Sequence, residues 1–315
     1  MMDRSANTSG RRGTNFAAAK AAFQRGENVT QRLRDQLGID HNTPDIIELA
    51  YDIQAGTYVA QTNQTRAFVE SYAGEVAGIL SAHVHGGETL LDVGCGEMTT
   101  LSLTTERLSS EISALYAFDI SWSRIKVGLE FAAENMKQST LACLRPFTAD
   151  ISEIPLRSKS VDVTTTSHAL EPNGGREADL LKEILRVTRR LVVLFEPSYE
   201  LNSDEGRTRM NRLGYVKNLE RTVNNLGAKV LDVTLLKNTP NRLNPTAAYV
   251  IQQDETTIAR YEPDHVFSDP GLDSPLVKFD TFYQSPLTGL AYPIIGGIPV
   301  LRSNSAVLTS ILSRD

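Results

Sequence analysis

Leu90-Leu91-Asp92-Val93-Gly94-Cys95-Gly96-Glu97 is an apolar run that closes in Asp-x-Gly-x-Gly, the pattern of a buried strand handing over to a ligand-holding loop. Glycines at 94 and 96 lack the Cβ atoms that would keep a ligand off the backbone, although a tight strand-to-helix turn would use them equally well. Three later runs favour the ligand reading. Ala114-Leu115-Tyr116-Ala117-Phe118-Asp119 ends in an acid, where such folds set a carboxylate against ribose hydroxyls. Phe147-Thr148-Ala149-Asp150 repeats the pattern, and Val161-Asp162-Val163-Thr164-Thr165-Thr166-Ser167-His168 delivers polar side chains to the same edge.

Outward from these runs, strands are predicted at 89–93, 114–119, 143–148, 161–166 and 190–195, with helices near 99–109, 122–137 and 175–188. A helix over 206–226 precedes two strands, 229–236 and 246–252, joined directly enough to be antiparallel. The fold class is α/β: a doubly wound, mostly parallel seven-stranded Rossmann-like sheet with its ligand at the carboxyl ends of the strands. Upstream, residues 1–13 read as a disordered polar arm, followed by helices at 15–25 and 29–37. Thr43-Pro44, a capping hydroxyl before a first-turn proline, opens a helix over 45–55, and another spans 65–82.

The ordered set of motifs resembles the class I S-adenosylmethionine-dependent methyltransferases over roughly residues 43 to 250. The resemblance implies a lid of N-terminal helices (1–42), a methyltransferase domain (43–252) and an appendage (253–315). It implies that Asp92, Gly94, Cys95 and Gly96 hold the methionine part of the cofactor, with Glu97 orienting its ammonium group. Asp119 would accept from both ribose hydroxyls. Ile120, in preference to Trp122, would cover the adenine, and Asp150 with the Ile151 amide would bind its polar edge. Tyr51, Gln54 and Tyr58 fall where many members carry a lid; Tyr51 and Tyr58 would share a face if their helix persists past Gly56. Packing of these aromatics onto the core is the competing reading. Ser167 completes the cofactor set.

Methyl transfer from a sulfonium is an in-line displacement, so the protein aligns the acceptor and, where needed, removes its proton. Catalytic candidates are His168, Glu171 and Tyr199, with Asn173 and Glu196 beside them for substrate. His168 is the preferred general base because imidazole titrates near neutrality; a structural histidine is the alternative. Phe16 and Phe23, seven residues apart, would cap the acceptor pocket.

Ser285 to Leu301 resembles the small zinc-ribbon-like domain of some RNA and protein methyltransferases, but Ser285 stands where the first cysteine would be. With only Cys95 and Cys143 in the chain, neither a disulfide framework nor a metal site is expected, and Cys95 reads as space-filling rather than reactive. No apolar run is long enough to span a bilayer and no signal segment opens the chain, which suggests a cytoplasmic enzyme. The net charge of −6 over 315 residues argues against a polyanionic substrate. A small polar metabolite or sugar-like intermediate is therefore the expected acceptor. RNA bound through Arg4, Arg11, Arg12, Arg25, Arg32 and Arg34 is the alternative, and a homodimer is left open. A nicotinamide-dependent oxidoreductase is disfavoured because Thr99 breaks the third glycine position, and the acids at 92, 119 and 150 speak against a non-catalytic subunit.

Overall fold

The computed structural model describes residues 8–39, 42–239, 241–253 and 261–313. Five helices come first: α1 (Thr8–Gln24), α2 (Val29–Leu37), α3 (Pro44–Ile53), α4 (Thr57–Gln64) and α5 (Arg66–Ser81). The alternating region follows as β1 (Glu88–Val93), α6 (Thr99–Thr105), β2 (Ile112–Asp119), α7 (Trp122–Asn135), α8 (Gln138–Cys143), β3 (Leu144–Thr148), β4 (Val161–Ser167), α9 (Glu177–Val187) and β5 (Thr188–Pro197). It closes with α10 (Asp204–Leu213), α11 (Leu219–Asn225), β6 (Lys229–Leu235) and β7 (Thr246–Gln252).

These seven strands form one sheet in the order β3-β2-β1-β4-β5-β7-β6, parallel except at β7, which runs antiparallel to both β5 and β6. The order reverses between β1 and β4, so the crevice of such a sheet opens at their carboxyl ends. Register brings the motifs together there. Val93 lies opposite Phe118 on one side and Thr166 on the other, while Asp119 lies opposite Thr148. The sheet interior is continuous: Leu91, Val93, Phe118, Val192 and Leu194 on one face and Leu90, Leu115, Ala117, Val163 and Val193 on the other are buried. Burial on both faces is what makes parallel strands read as unbroken apolar runs.

Four departures from the sequence expectations bear on the site. α1 begins at Thr8, so part of the arm expected to be disordered is helical; residues 1–7 lie outside the described residues, as do the side chains of Arg11 and Arg12. The helix expected over 45–55 ends at Ile53, and residues 57–64, to which no element was assigned, form α4 behind Gly56 at φ +95. The single helix expected over 206–226 is two, because Gly214 at φ +69 ends α10 with a left-handed cap. Residues 138–142, to which no element was assigned, form α8 together with Cys143, which was expected to open the next strand.

The C-terminal segment forms a small antiparallel sheet of β8 (Val277–Lys278), β9 (Phe282–Gln284), β10 (Leu290–Ile295), β11 (Ile298–Pro299) and β12 (Val307–Leu308). Trp122 on α7 anchors it, its Nε1 donating to the Ile295 carbonyl at 3.1 Å. Trp122 is thereby turned away from the sheet crevice. Among the described residues no helix is long and apolar enough to cross a membrane.

Candidate active site

Two adjoining cavities, of about 420 and 130 Å³, open at the carboxyl ends of β1, β2 and β4. Asp92, Cys95, Gly96 and Glu97 line the larger, while Asp119, Ile120, Asp150 and Ile151 line the smaller. Gly94, Ser167 and His168 border both. Gln54 is absent from both and instead faces an outer groove with Phe23, so the position assigned to it next to the cofactor is corrected. Phe16 is exposed and borders none of these cavities, which overturns its assignment as a pocket cap.

The glycine loop is held by side chains rather than by its own turn alone. Asp119 accepts from the Gly96 amide at 3.0 Å through one oxygen and from the Ser121 amide at 2.9 Å through the other. Gly94 and Gly96 both sit at positive φ, +70 and +53. A Cβ on Gly94 would stand 2.5 Å from that of Ala169, and one on Gly96 2.5 Å from a nitrogen of Arg124. Both glycines are thus demanded by protein neighbours before any ligand is considered. Glu97 has a different task from the expected one: its carboxylate accepts from the Gly56 and Val59 amides at 3.0 and 2.7 Å. That satisfies the open N-terminus of α4, which has no side-chain cap of its own.

Asp92 is only 7 % exposed, and among the described residues neither a hydrogen bond nor an ion pair reaches its carboxylate. Burial, with the nearby charge of Asp119, pushes its pKa up to about 8. An uncompensated buried acid favours a cationic ligand. S-adenosylmethionine has a sulfonium and an ammonium group, so this donor set fits it. On the nucleoside side, Asp150 gives one oxygen to Ser152, at 2.8 Å from its amide and 2.7 Å from its hydroxyl, and keeps the other.

Beyond β4 the chain turns sharply. His168 takes φ +56, an uncommon conformation for a side-chain-bearing residue. Beneath the turn lies the fully buried Glu196, which accepts the amides of Ala169, Leu170 and Glu171 at 2.9, 3.0 and 3.1 Å. Burial pushes the Glu196 pKa up to about 7, against the pull of His168 and the amide bonds. Glu196 therefore builds the turn and does not face substrate, which corrects the sequence assignment. Asn173 also serves the turn, donating to the Ala169 and Leu170 carbonyls at 3.3 and 3.4 Å.

His168 has both ring nitrogens engaged, Nδ1 with Glu171 at 2.6 Å and Nε2 with the Thr246 hydroxyl at 2.8 Å. Burial lowers its pKa, but the bond and charge of Glu171 outweigh this and leave it raised. Glu171 is correspondingly lowered despite its own burial, helped by bonds from Tyr215 and Asn244. The two form an ion pair, with Glu171, Tyr215, Asn241 and Asn244 on the wall of the larger cavity. A histidine bonded at both nitrogens is not free to take a proton from substrate. Tyr199 is elsewhere: its hydroxyl accepts from Asn211 at 3.2 Å and Lys217 stacks on its ring, away from both cavities.

Several residues in the site were not singled out from sequence. Tyr215 arrives because α10 stops at Gly214 and the linker packs on the turn, Val216 donating to the Glu171 carbonyl at 3.2 Å. Tyr72 on α5 reaches Ser167 at 3.0 Å. Arg124 on α7, 8 % exposed, borders both cavities, with the Tyr51 ring on one side at 4.8 Å and the Tyr58 ring at 4.6 Å. The two tyrosines thus approach one guanidinium, although they stand on separate helices.

Residues 91–195 match the family described as a methyltransferase domain. No curated protein matches the chain. Among solved structures it is similar to the [4+2]-cyclase SpnF (14 % identity, 58 % of this chain and 81 % of that one, TM-score 0.47). It is also similar to S-adenosylmethionine-dependent methyltransferases from Methanosarcina mazei (14 % identity, 56 % and 98 % covered, TM-score 0.46) and from Aquifex aeolicus (16 % identity, 56 % and 88 % covered, TM-score 0.41).

Proposed function

We propose, for a chain that carries a class I S-adenosylmethionine-dependent methyltransferase domain, that the methyl acceptor is a small polar molecule held in the larger cavity. The observation that carries this is the cavity wall itself. Beyond the part lined by Asp92 and the glycine loop, which the cofactor's amino-acid end would take, this cavity of about 420 Å³ presents Glu171, Tyr215, Asn241, Asn244, Tyr72 and Gln61 together with the apolar Phe68 and Val69, chemistry suited to a metabolite.

In this assignment Asp119, Ile120, Asp150 and Ile151 hold the nucleoside side of the cofactor and Asp92, Gly94 and Ser167 its amino-acid side. The bound cofactor supplies an already activated methyl group. The residues of the chain then orient the acceptor and keep water out. Glu171, kept ionised by His168, accepts a hydrogen bond from the acceptor's N–H or O–H; its lowered pKa makes it a holder of that proton's donor more than a remover of the proton. His168 fixes the Glu171 carboxylate in place, and Glu196 fixes the backbone that presents both.

The test is incubation of purified protein with methyl-labelled S-adenosylmethionine and a cell extract divided into a small-molecule filtrate and an RNA fraction. Label is expected in the filtrate. Label confined to RNA would replace this reading with a nucleic-acid substrate bound through the N-terminal helices.

A further inference from the structure

The Arg124 guanidinium is more than nine-tenths buried, yet among the described residues it donates no hydrogen bond. Its Nε lacks any partner, and the nearest carboxylates stand off at 3.8 Å (Asp119) and 4.0 Å (Glu97). Those two acids balance its charge from a distance, because their oxygens already accept backbone amides at Gly96 and Ser121 and at Gly56 and Val59. The guanidinium carbon stands over the Tyr51 and Tyr58 rings, 4.8 and 4.6 Å from their centroids. Cation–π contacts of this kind need none of the N–H donors, so the fork keeps its donors for another partner. A guanidinium cannot shed its charge, and leaving buried donors unmade is costly. Arg124 lines both cavities, and its terminal nitrogens lie beside Gly96 in the glycine loop.

We propose that Arg124, beside the Tyr51 and Tyr58 rings, is the receptor for the carboxylate of the cofactor's methionine moiety. The assignment rests on the S-adenosylmethionine reading of the site. That molecule has one anionic group and two cationic ones, and the crevice offers the complement: at Arg124 a guanidinium whose carboxylate neighbours stand beyond hydrogen-bond distance, and at Asp92 an acid that no side chain bonds among the described residues. Guanidinium matches carboxylate in a planar two-pronged bond, the strongest neutralisation this site has to give. The same bond would tie α3 and α4, which carry the tyrosines, to cofactor occupancy.

Calorimetry with two probes separates the outcomes: S-adenosylhomocysteine, which has the carboxylate, and methylthioadenosine, which lacks the whole amino-acid end. Arg124→Met is expected to weaken S-adenosylhomocysteine binding about 10- to 100-fold, the range for a lost charge-assisted bond, and to leave methylthioadenosine binding unchanged. Arg124→Lys, which keeps the charge without the fork, should fall between Met and wild type. Equal losses for both probes would make Arg124 a structural residue and overturn the proposal. Unchanged or tighter S-adenosylhomocysteine binding by Arg124→Met would also overturn it, tighter binding marking the guanidinium as an obstruction. Wild-type protein that binds neither probe would refute the cofactor reading itself, and the carboxylate assignment with it.

Discussion

At the scale of single residues, the active-site turn is organised by a buried acid that never touches the cavity. Glu196 collects three amides and so forces residues 168–171 into a tight loop, which accepts His168 at positive φ, a cost of about 1 kcal/mol or more for a residue with a Cβ. What the turn gains is a fixed Glu171–His168 pair. Because Glu171 raises the His168 pKa, the Glu171→Gln variant should bring it down, a change visible in the pH titration of the His168 ring protons by NMR. An unmoved midpoint would show that the pair is not ionic. Asp119 is coupled to the loop in the same manner. Asp119→Ala should weaken S-adenosylhomocysteine by on the order of 2 kcal/mol through the lost hydroxyl contacts, and further because the Gly96 and Ser121 amides lose their acceptor. Equal binding of wild type and variant in calorimetry would place the ribose elsewhere.

Among the elements, α4 depends most on a partner distant in sequence. Its N-terminus is capped by Glu97, forty-one residues beyond Gly56, so the glycine loop and α4 share one carboxylate. Glu97→Gln should cost about 1 kcal/mol, the usual value of an N-cap. Hydrogen exchange at Gly56 and Val59 would then quicken about fivefold while β1 stays protected; uniform quickening would mean global destabilisation instead. The C-terminal ribbon shows a second local device. Buried Asp269 accepts from the Tyr292 hydroxyl and, at 2.7 Å, from that of Thr288, while Ser285 Oγ accepts the Thr288 amide at 3.1 Å. Burial and the bond to Asp269 push the Tyr292 pKa up, keeping the phenol protonated as a donor. Asp269→Ala would strand the buried Tyr292 hydroxyl at about 1–3 kcal/mol and free that of half-buried Thr288, read as a lower urea midpoint. A midpoint equal to wild type would show that water replaces the acid.

For the whole molecule, the sheet's switch point gathers acids that no protein cation fully balances, and this sets a pH dependence. Asp92 has a folded pKa of about 8, above its ordinary value, so its protonated form favours the folded state. The contribution is complete below the ordinary carboxylate range near pH 4 and is lost as pH rises toward about 8. Ligand-free Asp92→Asn should therefore gain Tm over wild type progressively from pH 4 to pH 8; a gap that does not change with pH would mean that Asp92 is solvated. The sheet itself was legible along the chain, because strands buried on both faces must be apolar throughout and must end in the residues that line the crevice, which is why Asp92, Asp119, Asp150 and Ser167 lie together where their motifs imply. Gly214, which breaks the helix expected over 206–226, is visible as a letter, but a glycine inside a helical pattern does not declare whether the chain turns there. Tyr199 and Glu196 were misplaced, and Tyr215 and Arg124 missed, for one reason: sequence fixes which residues end a strand, whereas the direction of a side chain after a turn depends on what the turn packs against. The local periodicity of the chain determined the strands and the edge of the sheet to which they deliver their polar residues. Only the tertiary structure decided which charges are partnered, because burial, and the donors and acceptors that reach a buried group, come from segments far apart in sequence.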